Sequence, residues 1–332
     1  MPETGPHNLI TDIAGLMVGN AEDKDGLSGT TVLVAEKPMI AAVDVRGGAP
    51  GTAETELLAP EYTVGKIDAI ALSGGSAFGL AAGDGVRDWL RATGRGFSVA
   101  QSRVPIVPAA ILFDLAGGRE QTWREEPPYR LLGRKAAASA ARKFALGSAG
   151  AGAGATTFDL KGGLGSASQR TPGGYMVGAL VAVNACGKAT IGEGGHFWAA
   201  PFEIGEEFGA LGYPGTWPAG ATRPRMKGAV AANTTLAIIA TDAALDAGQA
   251  KRLAASAHDG MARALYPAHT PMDGDLVFSI ATGARPLNCG TADLAALCVA
   301  ASNCLTRAIA RGVYEASPGG PKPSWRENFA RP

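Results

Sequence analysis

The sequence predicts a layered α+β fold, in which β-sheets pack on each other and helices cover the outside. Segments with strand character come in runs and are followed by helices, without the strict alternation of a parallel β-α-β protein. Several of these segments are apolar at nearly every position, as strands buried on both faces are. Apolar residues make up 46% of the 332 residues, which is enough for a large core. We expect a single domain over residues 1–332.

The first half of the chain is predicted to hold four strands and two helices. Apolar and β-branched runs predict strands at 8–20, 30–36, 40–46 and 67–72. A periodicity of 3.6 residues predicts a helix over 79–93, which ends before Gly94, and an alanine-rich helix over 133–146.

The second half is predicted to hold the most deeply buried strand, at 176–184, with 188–191 as its hairpin partner. Further strands are expected at 235–241 and 276–281, and helices at 246–265 and 291–315, the latter with Thr291 as N-cap. Residues 201–227 are rich in Gly, Pro and Trp and are predicted to form a linker, and residues 318–332 a Pro-rich tail.

Composition excludes several classes of function. Thirty basic residues balance thirty acidic residues, so no net charge steers the chain toward nucleic acid or an anionic membrane. No apolar run reaches the length of a membrane span, and the N-terminus lacks a basic and then apolar leader. Neither the cysteines nor the histidines have metal-ligand spacing. We therefore expect a cytoplasmic protein with buried free thiols, no cofactor and no metal.

The most informative segment is 226–242. Small residues lead to Asn233, the pair Thr234-Thr235 follows, and the chain then enters an apolar strand. A polar pair at such a place predicts a peptide bond that breaks itself and leaves a threonine as a new N-terminus. The new N-terminal threonine would carry a hydroxyl nucleophile and a free amine base on one residue.

Two carboxylates stand at alternate positions, Asp273 and Asp275, directly before the strand predicted at 276–281. In an extended segment, alternate side chains lie on one face, so the two carboxylates could act together. Asp-Gly is also a common turn, and both interpretations remain open from the residues alone.

Two other motifs fit their patterns poorly. Ser76 follows a strand and two glycines and precedes a helix, as in a nucleophile elbow, but Phe78 stands where G-x-S-x-G requires glycine. A helix N-cap is the favoured role for Ser76. The glycines at 150–154 lack the third glycine of a dinucleotide loop, because Thr157 occupies its position.

Five segments together resemble the self-processing L-aminopeptidase/D-esterase family: 104–114, 150–156, 161–168, 177–184 and 233–235. That family includes β-peptidyl aminopeptidases, nylon-oligomer hydrolases and a pantetheine hydrolase. The resemblance runs from about residue 8 to 313. It implies an αββα four-layer sandwich similar to that of N-terminal-nucleophile hydrolases, but with different connectivity. It also implies processing into chains 1–233 and 234–332, and a homo-tetramer of processed heterodimers.

The resemblance assigns roles residue by residue. Thr234 matches the nucleophile, Asn233–Thr234 the cleaved bond, and Asp273 and Asp275 the acidic pair that supports the threonine. Lys161 and Asn184 match the family's active-site lysine and asparagine, and the asparagine amide is expected to stabilise the oxyanion. Phe113 stands where the threonine branch has a tyrosine.

The function that these matches imply is a self-cleaving amidohydrolase or aminopeptidase that acts on small peptide or amide substrates through a threonine acyl-enzyme. Three alternatives remain open from the sequence. They are an acyltransferase similar to ornithine acetyltransferases, an amide hydrolase of the nylon-oligomer or pantetheine type, and a binding scaffold without activity.

Overall fold

A computed structural model describes residues 3–23, 27–115, 123, 126–228 and 233–330. Within these residues the strands are β1 Leu16–Glu22, β2 Gly29–Val45, β3 Thr52–Ala53, β4 Lys66–Ser73, β5 Phe97–Val99, β6 Ser102–Val104, β7 Ala109–Ile111, β8 Gly163–Arg170, β9 Met176–Asn184, β10 Thr234–Ala243 and β11 Leu276–Arg285. The α-helices are α1 Ala81–Ala92, α2 Tyr129–Ala138, α3 Ala247–Ala264, α4 Thr291–Tyr314 and α5 Trp325–Phe329.

One strand, β2, belongs to two sheet layers. The hydrogen-bonded order is β3-β7-β4-β2-β11-β10-β9-β8, and β1 pairs with β2. The first part of β2 pairs with β1 and β4, and its last part pairs with β11. The β2–β4 register shifts between Val34 and Met39, at the place where the strand passes from one layer to the other. Strands β5 and β6 form a separate hairpin.

Alternate side chains of the strands fill three separate cores. Val181 of β9 and Ile239 of β10 pack in the core that also contains residues of α3 and α4. Their neighbours Leu180 and Ile238 point to the opposite face, into the core between the two sheet layers. Val32, on the outer face of the second layer, packs in the core that contains residues of α1 and α2. This arrangement of helices, sheet, sheet and helices confirms the predicted αββα class.

Strand β10 lies inside the first layer, antiparallel to β9 and parallel to β11. Its apolar side chains are buried on both faces, and each such side chain stabilises the fold by about 1.5–3 kcal/mol relative to an exposed one. The first residue of this strand is Thr234, so the predicted cleavage point lies where a buried strand begins.

Several predicted boundaries were wrong for reasons of tertiary structure. The two strands predicted at 30–36 and 40–46 are the single strand β2. In the segment 8–20, a short 3-10 turn, Ile10–Asp12, precedes β1. The helix predicted over 133–146 is α2, which ends at Ala138, and Ala141 exchanges backbone hydrogen bonds with Val18 of β1 instead.

Further predictions also need correction. The antiparallel partners of β9 are β8 and β10, whereas the segment 188–191 makes isolated bridges, Lys188 with Tyr266 and Thr190 with Phe197. The N-cap of α4 is Gly290 rather than Thr291. Ser76 is the first residue of a 3-10 turn, Ser76–Leu80, and Gly75 is the N-cap of that turn. The tail contains α5, and the thiol of Cys289 is exposed.

Helix α4 is long and apolar enough, by length and composition, to cross a membrane, which the sequence had not suggested. In the fold it packs on β8, β9 and α3, and 61% of its most apolar window is buried inside the protein. Such burial is ordinary for the core helix of a globular protein.

Candidate active site

Thr234 and Asn184 face each other across two buried strands. Thr234 begins β10, Asn184 ends β9, and the two are direct partners in the antiparallel register. Direct partners project to the same face of a sheet, with Cβ atoms about 4.5–5.5 Å apart. Thr234 is 4% exposed and Asn184 1%. The predicted nucleophile and the predicted oxyanion donor are therefore neighbours in a place with little access to bulk water.

Two donors converge on the carbonyl oxygen of Asn233. The Thr234 hydroxyl lies 2.5 Å from this oxygen, and the backbone N–H of Gly274 donates to it over 2.7 Å. The same carbonyl belongs to the peptide bond predicted to break. A donor fixed on this oxygen would stabilise the negative charge that develops there when the carbon is attacked.

Gly274 can take this position only because it has no side chain. A Cβ at residue 274 would lie 2.6 Å from the Thr234 hydroxyl oxygen and 2.7 Å from the carbonyl oxygen of Ala49. The glycine between the two aspartates thus allows the backbone to approach the nucleophile. The residues Asp273 to Asp275 lead into β11, so the extended interpretation of this motif is correct.

Asp273 holds the segment beside Asn233, with which it forms a parallel bridge. One carboxylate oxygen accepts the backbone N–H of Cys186 at 3.2 Å, and the other accepts the N–H and hydroxyl of Thr270 at 2.8 and 2.7 Å. Burial raises the pKa of Asp273, and the nearby charge of Asp275 raises it further.

Asp275 holds the residue that follows the nucleophile. Its Oδ1 accepts the backbone N–H of Thr235 at 2.7 Å, and its Oδ2 lies 2.9 Å from Nδ1 of His269. Among the hydrogen bonds of the described residues, none joins Asp273 or Asp275 to the Thr234 hydroxyl. In the continuous chain both carboxylates therefore act on Thr234 through the backbone around it.

Three neighbours fix the orientation of the Asn184 amide. Its Oδ1 accepts the Thr156 N–H at 3.0 Å and the Lys227 ammonium at 3.3 Å, and its Nδ2 donates to the Phe113 carbonyl at 2.9 Å. Because both partners of Oδ1 are donors, the amide cannot be flipped. Among the described residues Nδ2 has this one acceptor, so its second N–H can serve another. Position 113 takes part through its backbone, which its phenylalanine side chain does not alter.

Lys227 is the lysine that touches this group. Its Nζ donates to the Thr156 carbonyl at 2.8 Å as well as to Asn184. Burial lowers the pKa of Lys227 to about 7, and the charge of Lys322 acts in the same direction. A lysine with such a pKa exchanges a proton near neutral pH, which is typical of functional sites.

Lys161 is the lysine expected from the resemblance, and it lies beside Thr156, a partner of Asn184. It bridges to Thr156 through the backbone, and its Nζ faces the C-terminal segment, 3.7 Å from where a Cβ of Gly320 would be. Burial lowers the pKa of Lys161, and Glu327 opposes that shift. No side-chain hydrogen bond joins Lys161 to the other site residues that the structure describes, and its catalytic role stays a prediction.

Sequence reasoning missed the site roles of Gly274 and Lys227. Gly274 contributes a backbone N–H and leaves room for the Thr234 hydroxyl because it has no side chain. Only its place between two candidate aspartates could have drawn attention to it. Lys227 lies in the segment 201–227 that was predicted to be a linker, seven residues before Thr234.

Comparisons with known proteins identify the family of this chain. The family model of peptidase family S58 matches residues 8–321. An uncharacterized aminopeptidase of Mycobacterium bovis is 40% identical over 97% of this chain and 98% of its own length. A 6-aminohexanoate-oligomer endohydrolase of Kocuria sp. is 31% identical over 84% of this chain and 76% of its own.

Solved structures show the same fold. A β-aminopeptidase of Burkholderia sp. has a TM-score of 0.71 at 22% identity, covering 100% of this chain and 97% of that one. An L-aminopeptidase D-Ala-esterase/amidase from Ochrobactrum anthropi, described as a variant of the N-terminal-nucleophile hydrolase fold, has a TM-score of 0.72 at 21% identity, covering 97% and 90%. With the family model matched over most of its length, the chain belongs to peptidase family S58 and is a hydrolase of the aminopeptidase type.

Proposed function

We propose that this chain cuts its own backbone between Asn233 and Thr234, and that the exposed Thr234 then hydrolyses peptide or amide bonds through an acyl-enzyme. The observation that carries the proposal is the pair of contacts on the Asn233 carbonyl oxygen, from the Thr234 hydroxyl at 2.5 Å and the Gly274 N–H at 2.7 Å.

Self-cleavage begins with attack of Thr234 Oγ1 on the carbonyl carbon of Asn233. The C–N bond breaks, the acyl group moves to oxygen, and the hydroxyl proton ends on the nitrogen that becomes the amine. Water then opens the ester, which gives a carboxyl group on Asn233 and restores the Thr234 hydroxyl. The Gly274 N–H supports the oxyanion of the first step, because it already donates to that oxygen.

The mature enzyme uses the same hydroxyl with a new base. An α-amine has a reference pKa of about 7.7–8.0, so a useful fraction is neutral near pH 7.5 and can accept the hydroxyl proton. The substrate acylates Thr234, its amine departs, and water deacylates the enzyme. The unused N–H of Asn184, across the strand from Thr234, is the donor we assign to the substrate oxyanion.

The proposed substrates are small peptides or amides with a free amino end. Relatives of this chain are named aminopeptidases and 6-aminohexanoate-oligomer endohydrolases, and a linear amide with an amino end is common to both names. A cytoplasmic location and an assembly of four processed pairs complete the proposal.

The test is the intact mass of purified protein. Wild type should give fragments of 233 and 332 − 233 = 99 residues, the smaller beginning at Thr234. Thr234→Ala should remain one chain without amidase activity, whereas Thr234→Ser, which keeps a hydroxyl, should still split. Thr235→Ala should also split. A Thr234→Ala protein that is processed normally would refute the proposal.

A further inference from the structure

A line of three side chains, Asp275, His269 and His258, runs from the active site to the backbone carbonyl of Asp44. His269 Nδ1 lies 2.9 Å from Oδ2 of Asp275, and His269 Nε2 lies 3.3 Å from Nδ1 of His258. His258 Nε2 in turn lies 3.0 Å from the backbone carbonyl of Asp44. The imidazole rings meet edge to face, with centroids 4.8 Å apart. Neither histidine has a part in the chemistry proposed above.

The number of protons in this line can be counted. Three hydrogen bonds join Asp275, His269, His258 and the Asp44 carbonyl, and each needs one proton. Both ends of the line are acceptors if Asp275 is a carboxylate, and two neutral imidazoles bring only one N–H each. The three hydrogen bonds therefore need three protons, whereas two neutral histidines and a carboxylate supply two.

His258 does not hold the extra proton. Its Nε2 faces two acceptors, the carbonyl of Asp44 at 3.0 Å and the Asp44 carboxylate at 3.4 Å, so this nitrogen carries the N–H. Burial lowers the pKa of His258 to about 4, so the ring is neutral near pH 7 and its Nδ1 is an acceptor. His269 must then donate from Nε2.

Asp275 accepts hydrogen bonds at both of its carboxylate oxygens. Its carboxylate accepts the backbone N–H of Thr235 at 2.7 Å and that of His269 at 3.1 Å, in addition to facing the His269 ring. Hydrogen bonds from backbone N–H groups stabilise a carboxylate over a carboxylic acid. The extra proton consequently belongs on the ring of His269 rather than on Asp275.

We propose that His269 is a doubly protonated positioning residue that clamps Asp275 as a carboxylate beside the nucleophile. One N–H of the imidazolium holds Oδ2 of Asp275, which leaves Oδ1 to fix Thr235 and, through it, Thr234. The backbone of His269 has a φ of +57°, unusual for a residue with a side chain. Such conformations cluster at functional sites, where the surrounding structure maintains them.

Other charged groups face this line from the elements packed around it. Arg46, at the end of β2, and Lys251 of α3 both bind the Asp44 carboxylate, at 3.0 and 2.9 Å. Burial acts to raise the pKa of Asp44, but hydrogen bonds from Lys251 and Arg46 outweigh it and hold that pKa below its ordinary value. Asp44 therefore stays a carboxylate and neutralises these two cations at the outer end of the line.

The direct test is nitrogen NMR of the mature protein labelled with ¹⁵N-histidine at pH 7.5. We expect one ring with both nitrogens protonated, and its signals should be missing in His269→Asn. His258 should show a protonated Nε2 and a bare Nδ1. An unprotonated nitrogen in the ring of His269 at this pH would overturn the proposal, whatever the activity of any variant.

Kinetics provides the second measurement, and its interpretation rests on the proposed function. His269→Asn keeps a donor for Asp275 but loses the charge and the contact with His258. We expect kcat to fall by about 10–100-fold, as for a catalytic group displaced by up to 1 Å, with KM within about threefold. The pH profile of kcat should differ between wild type and the variant, because the variant lacks the charged ring.

His196→Gln is the matched control, because among the described residues the hydrogen bond of its ring goes to a backbone carbonyl, that of Gly212. Its kcat and pH profile should equal those of wild type. Unchanged kcat and an unchanged pH profile in a folded, processed His269→Asn protein would contradict the proposal. Failure of wild type to split before Thr234 would instead count against the proposed function and leave the ring-nitrogen result standing.

Discussion

Replacing Gly274 with alanine tests the self-cleavage chemistry at its most constrained point. The added Cβ would lie 2.6 Å from the Thr234 hydroxyl oxygen and 2.7 Å from the Ala49 carbonyl oxygen. Relief to the shortest distance that real Cβ atoms show, 3.0 Å, requires the hydroxyl or the glycine backbone to move by 0.4 Å. The second close atom belongs to the backbone of Ala49, which cannot move aside as a flexible side chain can.

The displacement acts on the donor as well as on the nucleophile. The Gly274 N–H donates to the Asn233 carbonyl at 2.7 Å, and movement of this backbone weakens the bond that supports the oxyanion. Loss of one such donor typically slows catalysis by about 10²–10³-fold, or about 2.7–4 kcal/mol. We expect Gly274→Ala to lengthen the half-time of self-cleavage by this factor.

The assay is the time course of appearance of the 99-residue fragment after refolding or fresh synthesis, followed by intact mass. Gly65→Ala is the matched control, because nothing lies within 4 Å of its added Cβ. Both proteins should have the wild-type circular dichroism spectrum. Cleavage of a folded Gly274→Ala chain at the rate of the control would mean that the Gly274 N–H does not support the oxyanion.

Three other substitutions have definite expected outcomes. Asn184→Asp puts a carboxylate oxygen where Nδ2 now donates to the Phe113 carbonyl. We expect single-turnover acylation by an amide substrate to slow by about 10²-fold. An acylation rate within threefold of wild type would contradict the role of this amide as an oxyanion donor. The fold lowers the pKa of Lys227 from 10.5 to about 7, so between these pH values the unfolded chain binds more protons than the folded one. The free energy of unfolding should therefore rise from pH 7 toward pH 10.5. Urea unfolding of Lys227→Met should not show this rise, and its persistence would refute the lowered pKa of Lys227. Arg307→Met removes one ion-pair partner of Glu207, whose side chain is 7% exposed and whose carboxylate contacts Arg307 Nε at 2.5 Å. This change should destabilise the fold by about 3–5 kcal/mol in urea unfolding. Arg326→Met, at an exposed ion pair, is the control, and equal losses in the two variants would contradict the reasoning.

The sequence singled out polar side chains that the fold brings together, because candidate chemistry of side chains is visible in a sequence. Thr234, Asn184, Asp273 and Asp275 come together as expected, and the apolar runs around Thr234 and Asn184 correctly predicted buried strands. These strands appear in the sequence as continuous apolar runs, because both of their faces are covered.

What escaped prediction depends on backbone and tertiary contacts. Strand β8 contains glycines and serines in place of β-branched residues, so its pairing with β9 had no local signal. Gly165 is needed there because a Cβ would lie 1.8 Å from the Ala308 carbonyl of α4. The shift of β2 between layers likewise follows from its partners on either side rather than from its own residues.

The route of β10 through the molecule has a consequence for the proposed cut between Asn233 and Thr234. The strand that starts at the cut is bordered by β9, from the piece before the cut, and by β11, from the piece after it. β11 in turn pairs with β2, so strands of the smaller fragment are hydrogen-bonded on both sides to strands of the larger one. Neither fragment owns a complete hydrophobic interior. We expect the nicked protein to melt in one concerted transition and to elute as one species, and fragments made separately to remain unfolded until they are mixed.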